Sequence, residues 1–420
     1  MRVLIMTFGT RGDIQPYAAL AGRLAAAGHE AHLAVPEGFE DLLAPEVIVH
    51  PAGSEMLRLV QEVLPELSGA RDAPKTFRTI KTAMRGHVQE TWAAAREAQP
   101  DLIVFHPKCL AGPHIAELLG VPAVLSLPLP FYTPTGAHPV PFLGRASFGR
   151  AGNRASYRLI RLATAAYGGM LSDFRAQVGL PGRARRLADP LRAHDGSPVH
   201  TLYPYSRHVV PVPSDYPATA HVTGYWFLEE PAWEPPAELQ EFLDAGEPPV
   251  YLGFGSMGFG QGADERRETI LQALERCSLR GIVATGWGGI AGGASPSRDV
   301  LVIDGAPHDW LFPRMRAVVH HGGAGSTAAG LRAGRPTLVV PFLGDQPFWG
   351  GRVQDIGAGP APIPPRALER RLADGLDELT GTPLFARRAE AVGAELRAED
   401  GPGVAVDVLE RIAAGAAGAA

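Results

Sequence analysis

The sequence predicts an α/β protein made of two Rossmann-like domains that face each other across a cleft. With 420 residues the chain exceeds what one hydrophobic core normally serves, so two domains of about 200 residues are expected. Apolar runs alternate with helical patterns in both halves, and a proline-rich stretch separates the halves. Hydrophobic residues make up 45% and charged residues 20% of the chain, which is typical of a folded globular protein.

The N-terminal half is predicted as one domain over residues 1–205. It begins with an apolar run, continues through a glycine-rich loop at residues 9–13 and enters a helix at about Gln15, which Gly28 ends. Later apolar runs are expected to pair with the first as parallel strands. The predicted strands of this half cover residues 3–8, 30–35, 101–106 and 123–127.

The second half begins after a predicted linker over residues 206–248, where closely spaced prolines are expected to exclude regular elements. A second domain is predicted over residues 249–400, and a helix or tail over residues 401–420 could pack back on the N-terminal domain. Ligands of such parallel sheets bind beyond the carboxyl ends of the strands, which places a site in the cleft. The predicted strands here cover residues 249–254, 281–285, 300–303, 317–320 and 337–341.

Bulk properties argue against several function classes. The net charge of −5 disfavours a nucleic-acid partner, which would favour a basic domain. Cys109 and Cys277 form no C-x-x-C pair, so neither a disulfide framework nor a zinc site is predicted. The chain opens directly on a strand pattern without a secretion leader, and no apolar run is long enough for a transmembrane helix. We therefore expect a cytoplasmic protein.

Residues 145–192 contain ten arginines against only Asp173 and Asp189. A helix in this segment could carry apolar side chains on one face and arginines on the other. One interpretation is the solvated flank of a packed helix. The other is attraction to an anionic membrane surface or an anionic acceptor. The apolar face would comprise Tyr157, Ile160, Leu162 and Ala165, and the basic face Arg154, Arg158 and Arg161.

The segment His320-His-Gly-Gly-Ala-Gly-Ser-Thr327 follows an apolar strand and leads into a helical pattern. Small residues let the backbone approach a ligand closely, and a helix that starts near Ser326 presents unpaired N–H groups and the positive end of its dipole. A histidine beside it can donate a hydrogen bond to a phosphate oxygen. The pattern predicts an anion-binding site. A glycine-rich turn with a helix cap would explain Ser326 but not the adjacent histidines.

A second polar segment, Gly344-Asp-Gln-Pro347, follows the last predicted strand of the second domain. Asp345 and Gln346 offer acceptors and donors side by side, which suits a polyol, while Phe348 and Trp349 supply an apolar wall. A local backbone cap is an equally good interpretation of the aspartate.

These blocks together resemble the family 1 glycosyltransferases. The order is Gly253-Phe-Gly-Ser-Met257, Pro307-His-Asp-Trp-Leu311, the segment 320–327 and the Gly-Asp-Gln-Pro segment. The opening Phe8-Gly-Thr-Arg-Gly-Asp-Ile-Gln-Pro16 is similar to the branch that contains bacterial antibiotic glycosyltransferases and sterol glucosyltransferases. The resemblance implies a GT-B fold, an inverting mechanism and a UDP- or dTDP-sugar donor held mainly by the C-terminal domain.

The resemblance also implies a donor site, position by position. Asp345 and Gln346 would bind hydroxyls of the donor sugar. The diphosphate would be held by Ser256, His321, Gly323, Gly325, Ser326 and Thr327. The nucleoside base would lie near Ala306, His308 and, as a stacking partner, Trp287.

The loop after the first strand would carry the catalytic base. Many relatives have a Gly-His pair before the proline, whereas this sequence has Gly12-Asp13, as in the branch whose aspartate is the base. Thr10 would lie beside the reacting centre, and a helix N-cap is the alternative role for Asp13. A stiff, apolar loop would bind a hydrophobic acceptor, such as a polyketide, macrolide, glycopeptide or sterol-like alcohol. Its acceptor-binding residues would be Phe131, Tyr132 and Phe142.

The chemistry of sugar transfer fits this set of residues. Displacing a nucleoside diphosphate builds positive charge on the sugar ring and negative charge on the leaving phosphate. N–H dipoles on one side of the sugar stabilise the leaving phosphate, and a base on the opposite side takes the proton of the acceptor as the new bond forms. The sequence has no Asp-x-Asp motif for a divalent ion, so no metal or other cofactor is expected. The prediction is transfer of a hexose or deoxyhexose.

Three other functions remain open. Gly253-x-Gly255-x-x-Gly258 matches the fingerprint of an NAD(P)-dependent oxidoreductase, although no acidic residue for the ribose follows the second strand of that unit. A sugar-nucleotide epimerase on the same fold would share the donor site without an acceptor pocket. A non-enzymatic binding module is the third, if Asp13 only caps its helix.

Overall fold

The computed structural model describes residues 1–59, 73–144, 147–228, 233–255, 262–286, 290–293, 295 and 297–417. Short strands and helices alternate along this part of the chain. The strands are β1 Arg2–Met6, β2 Glu30–Val35, β3 Ile48–Pro51, β4 Leu102–Phe105, β5 Ala123–Ser126, β6 His200–Tyr203, β7 Ala220–Val222, β8 Val250–Gly253, β9 Gly281–Ala284, β10 Val300–Ile303, β11 Ala317–His320 and β12 Thr337–Val339.

The helices cover both faces of the sheets. They are α1 Arg11–Ala26, α2 Ser54–Arg58, α3 Ala73–Ala98, α4 Gly112–Leu119, α5 Gly149–Ser156, α6 Leu159–Ala165, α7 Gly168–Gln177, α8 Ala237–Asp244, α9 Ala263–Arg276, α10 His308–Leu311, α11 Ala324–Arg332, α12 Gln346–Ile356, α13 Leu368–Gly381, α14 Pro383–Ala398 and α15 Gly401–Ala417. None of these helices is both long and apolar enough to cross a membrane.

The strands form two parallel sheets, in the order β3-β2-β1-β4-β5-β6-β7 and β10-β9-β8-β11-β12. The central strands β4, β8 and β11 are buried along their whole length, as expected for parallel strands covered by helices on both faces. Two Rossmann-like sheets confirm the predicted α/β class.

Each sheet reverses its strand order once, between β1 and β4 in the first and between β8 and β11 in the second. A crevice opens beyond the carboxyl ends of the strands at such a reversal, and ligands bind there. The turn from β1 into α1 carries Thr10 and Asp13, the loop after β4 carries Lys108, and the loop after β11 carries His321. The topology therefore brings these loops to the two crevices.

The predicted linker contains regular elements, which corrects the expectation that its prolines exclude them. Within residues 206–248, β7 pairs with β6 as an edge strand of the first sheet, and α8 follows. Neither element has a proline inside it, because Pro217 and Pro236 lie just before them. Proline bounds these elements, which is where its fixed φ is tolerated.

The C-terminal helix α15 lies against α1 of the N-terminal domain. Its Val406 and Leu409 belong to the same hydrophobic core as Leu20 and Leu24. A separate cluster joins the two sheets, where Tyr203 and Tyr205 of the first domain pack with Trp349, Val353 and Leu396 of the second. The chain thus connects its two domains by packing as well as by covalent continuity.

The apolar face predicted for the arginine-rich segment is wrong in part. Tyr157 is buried at 4% exposure, whereas Leu162 is 60% exposed, so the two residues do not share a face. Tyr157 is instead drawn inward, where its hydroxyl lies 3.1 Å from His138 Nδ1. Residues 145 and 146 of this segment lie outside the described residues.

Candidate active site

Asp13 lies in the first turn of α1, and Thr10 is the residue that caps this helix. The Thr10 backbone N–H donates to Asp13 Oδ2 at 3.1 Å, and the Thr10 hydroxyl lies 3.5 Å from the same oxygen. Gly9 has a φ of 136°, and a side chain there would collide with the carboxylate. Asp13 is therefore not the N-cap that the alternative interpretation made it. It caps the helix from the third helical position, as in a capping box.

The start of α1 also differs from the prediction. The helix begins at Arg11 rather than near Gln15, so Pro16 lies inside its second turn. The Thr7 hydroxyl donates to the Asp13 backbone oxygen at 2.9 Å. The early start directs the Asp13 side chain back over the loop, where it keeps 24% of its surface exposed.

Lys108 is a site residue that sequence reasoning missed. Its Nζ lies 2.5 Å from Asp13 Oδ1, and 43% of its side chain is exposed. The two loops meet because β1 and β4 are neighbouring strands. The strand order of Rossmann-like sheets was the signal that could have found Lys108, since it places the ends of these two strands together.

His106, which precedes Lys108, supports this loop. Burial lowers the pKa of His106 to about 3, so its ring is neutral near pH 7. Its Nδ1 accepts a hydrogen bond from the Lys108 backbone N–H at 3.1 Å. The ring thereby fixes the turn from which the Lys108 side chain reaches Asp13.

The two adjacent histidines of the glycine-rich segment have different surroundings. His320 is buried, and its Nδ1 accepts from the Gly322 N–H at 2.8 Å, which ties down the turn. His321 lies between two glycines: a methyl group on Gly255 would come within 3.2 Å of its ring, and one on Gly323 within 2.6 Å. The buried His321 Nδ1 has no hydrogen-bond partner within the described part of the chain.

The His321 ring lies beside a helix N-terminus, with Nε2 on the side of Gly323, and this arrangement suits an anionic oxygen. Gly323 caps α11, whose first backbone N–H groups have no partner inside the helix. Burial lowers the pKa of His321 to about 4, so near pH 7 it donates an N–H without a formal charge. Gly325 is exposed and Ser326 partly exposed at the same helix start.

Thr327 lies at this site but faces inward. It is fully buried, and its hydroxyl donates to the Gly323 backbone oxygen at 2.9 Å. The hydroxyl thus stabilises the turn that precedes α11 rather than pointing toward the cleft.

Asp345 and Gln346 form the start of α12. Asp345 Oδ2 accepts from Trp349 Nε1 at 2.9 Å, and Gln346 Oε1 accepts from the N–H groups of Phe342 at 2.7 Å and Leu343 at 3.0 Å. Among the described residues no further side-chain hydrogen bond engages Asp345 Oδ1 or Gln346 Nε2, so these atoms can bind a ligand. Trp349 is fully buried, so the expectation that it forms an apolar wall is wrong, because it packs between the domains.

Charges of the N-terminal loops act on residues of the C-terminal domain. Burial raises the pKa of Asp345, the negative charge of Asp13 adds to the rise, and the positive charge of Lys108 opposes it. Burial also lowers the pKa of His308 to about 4, and the charge of Arg11 contributes to that fall. The first turn of α1 therefore faces the starts of α10 and α12 across the cleft.

Of the remaining residues predicted to bind the donor, two are described by the structure and two are not. His308 stacks on Phe312 with ring centroids 4.1 Å apart, and Ala306 is partly buried beside it. Ser256 and Trp287 lie outside the described residues.

The predicted acceptor residues lie along the first domain's side of the cleft. Phe131 and Phe142 meet edge to face with centroids 6.2 Å apart, and the turn Pro141–Leu143 contacts α12. Tyr132 lines a groove of about 590 Å³ between its loop and α5 and α6. Burial raises the pKa of Tyr132 to about 12. The groove and the aromatic pair form an amphipathic surface on the first domain, which also carries Asp13.

Comparison with known proteins decides the family. Residues 3–135 match the model of the glycosyltransferase family 28 N-terminal domain, and residues 293–412 match the erythromycin biosynthesis protein CIII-like, C-terminal domain. Sterol 3-beta-glucosyltransferase UGT80B1 of Arabidopsis thaliana is 35% identical over 98% of this chain and 68% of its own length. The chain belongs to the family 1 (GT-B) glycosyltransferases. Its branch is the one that contains bacterial natural-product glycosyltransferases and sterol glucosyltransferases.

Further relatives of this glycosyltransferase differ in how much of them it covers. UGT80A2 of Arabidopsis thaliana, also a sterol 3-beta-glucosyltransferase, is 35% identical over 97% of this chain and 64% of its own length. The Aspergillus fumigatus sterol 3-beta-glucosyltransferase is 33% identical over 98% of this chain but only 30% of its own length. The chain thus spans about two thirds of the plant relatives and under a third of that fungal one.

Solved structures share the fold. The glycotransferase of kitacinnamycin superposes with a TM-score of 0.71 at 20% identity, and CalG4, the calicheamicin glycosyltransferase, with 0.70 at 18%. Each comparison covers 98% of both chains. The first helix after β8 in the described part of the chain is α9, which begins at Ala263, whereas Gly258 lies outside the described residues. The described residues therefore do not show the helix that should follow the dinucleotide fingerprint directly.

Proposed function

We propose that the chain is an inverting glycosyltransferase that moves a hexose or deoxyhexose from a UDP- or dTDP-sugar to a hydroxyl of a hydrophobic acceptor. The observation that carries this proposal is that Asp13 of the first domain lies close enough to Asp345 of the second for its negative charge to contribute to the raised pKa of that carboxyl. The N-terminus of α11, in the second domain, lies beside the His321 ring and suits an anion. The sterol 3-beta-glucosyltransferases among its relatives support glucose as the sugar and a sterol-like alcohol as the acceptor.

The reaction would proceed in one displacement. Asp13 accepts the proton of the acceptor hydroxyl while that oxygen bonds to the anomeric carbon, and the bond from this carbon to the diphosphate oxygen breaks. The first N–H groups of α11 and the His321 ring donate hydrogen bonds to the diphosphate and stabilise the negative charge that develops on it. Because base and leaving group lie on opposite domains, attack comes from the face opposite the leaving group and inverts the anomeric configuration.

Asp345 and Gln346 would select the sugar. Asp345 Oδ1 can accept and Gln346 Nε2 can donate hydrogen bonds to neighbouring hydroxyls of a pyranose. Their other polar atoms are fixed by Trp349 and by the backbone of the preceding loop, so the pair is held in place before the sugar arrives. Preorganised contacts of this kind discriminate between sugars that differ in one hydroxyl.

The experiment offers the purified chain UDP-glucose or dTDP-glucose together with a sterol in detergent micelles or a macrolide. Mass spectrometry of the acceptor detects the attached hexose, and proton NMR coupling at the anomeric carbon shows whether the α-linked donor gives a β-linked product. An α-linked product would overturn the inverting mechanism. An epimerised nucleotide sugar formed without any acceptor would overturn transfer in favour of an epimerase.

A further inference from the structure

One helical face of the first domain exposes large apolar side chains. Residues Tyr157 and Arg158 between α5 and α6 keep right-handed helical backbone angles, so the two helices form a nearly continuous rod. Phe148, Leu159 and Leu162 are 55%, 42% and 60% exposed. Leu159 and Leu162 lie three residues apart on one side of α6. Phe148 precedes α5 but packs beside Gly152, which lies seven residues before Leu159 and therefore on the same side of the rod.

The same side is the solvent side of the helix. Asn153, Ser156 and Tyr157 are buried and face the domain. A solvated flank of a packed helix would carry polar residues outward and apolar residues inward. Here the outward side carries apolar side chains, so the interpretation as a simple solvated flank does not describe it.

A neighbouring loop extends this surface. Arg161 Nη2 of α6 lies 2.5 Å from Asp189 Oδ2, and Gly168, the first residue of α7, packs against Arg186. The loop around residues 186–189 therefore lies against α6 and the start of α7. Leu187 in this loop is 55% exposed. Leu187 lies two residues from Asp189, whose carboxylate is tied to Arg161 of α6.

Arginines surround these apolar side chains. Arg150, Arg158, Arg183, Arg185 and Arg186 are exposed. Among the described residues none of these five has an ion pair, whereas Arg154 pairs with Asp215 and Arg161 with Asp189. The surface therefore carries an uncompensated positive charge around an apolar centre.

We propose that this surface, the basic–apolar face, docks on an anionic phospholipid membrane. It consists of Phe148, Leu159, Leu162 and Leu187 with Arg150, Arg158, Arg183, Arg185 and Arg186. The apolar side chains enter the boundary between headgroups and acyl chains, and the guanidinium groups bind lipid phosphates, for which their planar fork is suited. Burial of apolar area and attraction to negative lipid then act together.

The acceptor groove opens beside this face. Arg158 and Ile160 of the same helix line the groove together with Tyr132. A lipophilic acceptor dissolved in the bilayer would reach the groove without crossing water. This last step rests on the proposed function, whereas membrane docking itself does not.

The test measures binding of the full chain to phosphatidylcholine vesicles with and without phosphatidylglycerol, by flotation on a density gradient. Binding is expected to the vesicles that contain phosphatidylglycerol and to weaken as salt is raised. The double variant Phe148→Ser with Leu162→Ser should bind roughly tenfold more weakly, and so should Arg185→Glu with Arg186→Glu. None of these four residues lines the groove.

Matched controls lie elsewhere on the molecule. Leu384 is 47% exposed on α14, and the Arg298 side chain is 94% exposed, so Leu384→Ser and Arg298→Glu change polarity or charge outside the face. Both should bind vesicles like the unaltered chain. Loss of binding in these controls equal to that in the face variants, or no preference for phosphatidylglycerol, would overturn the proposal.

Light scattering in the absence of lipid tests whether a second copy of the chain, rather than a membrane, covers the basic–apolar face. A dimer that Leu162→Ser dissociates would assign the face to a second copy of the chain and overturn membrane docking. Sugar transfer to a water-soluble alcohol in vesicle-free buffer separates the two proposals. A chain that binds vesicles but transfers no sugar leaves membrane docking intact and removes only the proposed function.

Discussion

The Asp13 carboxylate is held at both oxygens before any substrate binds. The Thr10 N–H engages Oδ2 and the Lys108 ammonium engages Oδ1, so the group has little rotational freedom. In the proposed reaction the acceptor hydroxyl would bind a remaining lone pair of this carboxylate, beside the Lys108 ammonium on Oδ1 or the Thr10 N–H on Oδ2. Such fixed geometry favours proton transfer, because the base does not have to be oriented during the reaction.

Asp13→Asn should lower kcat by roughly 10²–10⁴ while donor affinity and melting temperature stay nearly constant. The amide keeps the shape of the side chain and an oxygen for the Thr10 N–H, but it cannot accept the proton. Steady-state kinetics and a thermal melt measure both quantities. If Asp13 only caps α1, kcat is near normal in Asp13→Asn, and Asp13→Ala costs about 0.5–2 kcal/mol of stability. His106 or His138 would then be the next candidate base.

Lys108→Met should lower kcat about tenfold or more, because the carboxylate loses the partner that holds Oδ1. Lys108→Arg keeps the charge and should recover most of the rate. The pair is partly exposed, so unfolding free energy should change by less than about 1 kcal/mol. Donor affinity from calorimetry should not change. A rate equal to that of the unaltered chain in Lys108→Met would remove Lys108 from the site.

His321→Ala should weaken donor binding about tenfold, because the diphosphate loses one buried N–H donor. The pKa of about 4 means that the ring is neutral above that value, so donor KM should stay flat between about pH 6 and pH 8. Titration with the nucleoside diphosphate gives the affinity directly. Unchanged affinity in His321→Ala would show that the diphosphate lies elsewhere.

At the scale of elements, we propose that the N-terminus of α11 stabilises the diphosphate in the way that a metal ion does in other sugar transferases. Its N-terminal N–H groups and dipole lie beside the His321 ring, whose Nδ1 has no hydrogen-bond partner within the residues that the structure describes. We therefore expect transfer to continue at an unchanged rate after dialysis against EDTA. The assay compares initial rates with and without added Mg²⁺ or Mn²⁺. A strict requirement for either ion would contradict the assignment of the diphosphate to this helix.

At the scale of the whole molecule, α15 holds the end of the chain against its beginning. Leu409 has no exposed surface and shares a core with α1. Leu409→Ala should cost about 2–5 kcal/mol of unfolding free energy through lost burial and the cavity left behind. Val404 on the same helix is 44% exposed, so Val404→Ala should stay within about 0.5 kcal/mol. Equal denaturation midpoints for both variants would contradict this packing.

The sequence by itself determined the class of the fold and most elements that carry the site. Period-two and continuous apolar runs are local properties, so β2, β10 and β11 occur where the sequence predicts them. The glycine-rich turn before α11 is local as well, because Gly322, with a φ of 91°, and its neighbours permit a backbone that side chains would block. These features follow from residues close together in the chain.

The tertiary structure alone decided which distant groups meet. The strand order placed Lys108 against Asp13, ninety-five positions away, and no local pattern contains that pairing. Packing between the domains buried Trp349, and packing against α1 gave α15 its place. Burial also set the neutral state of His321, since desolvation depends on every element around a ring. Local sequence fixes conformation, whereas contact, burial and charge depend on the complete fold.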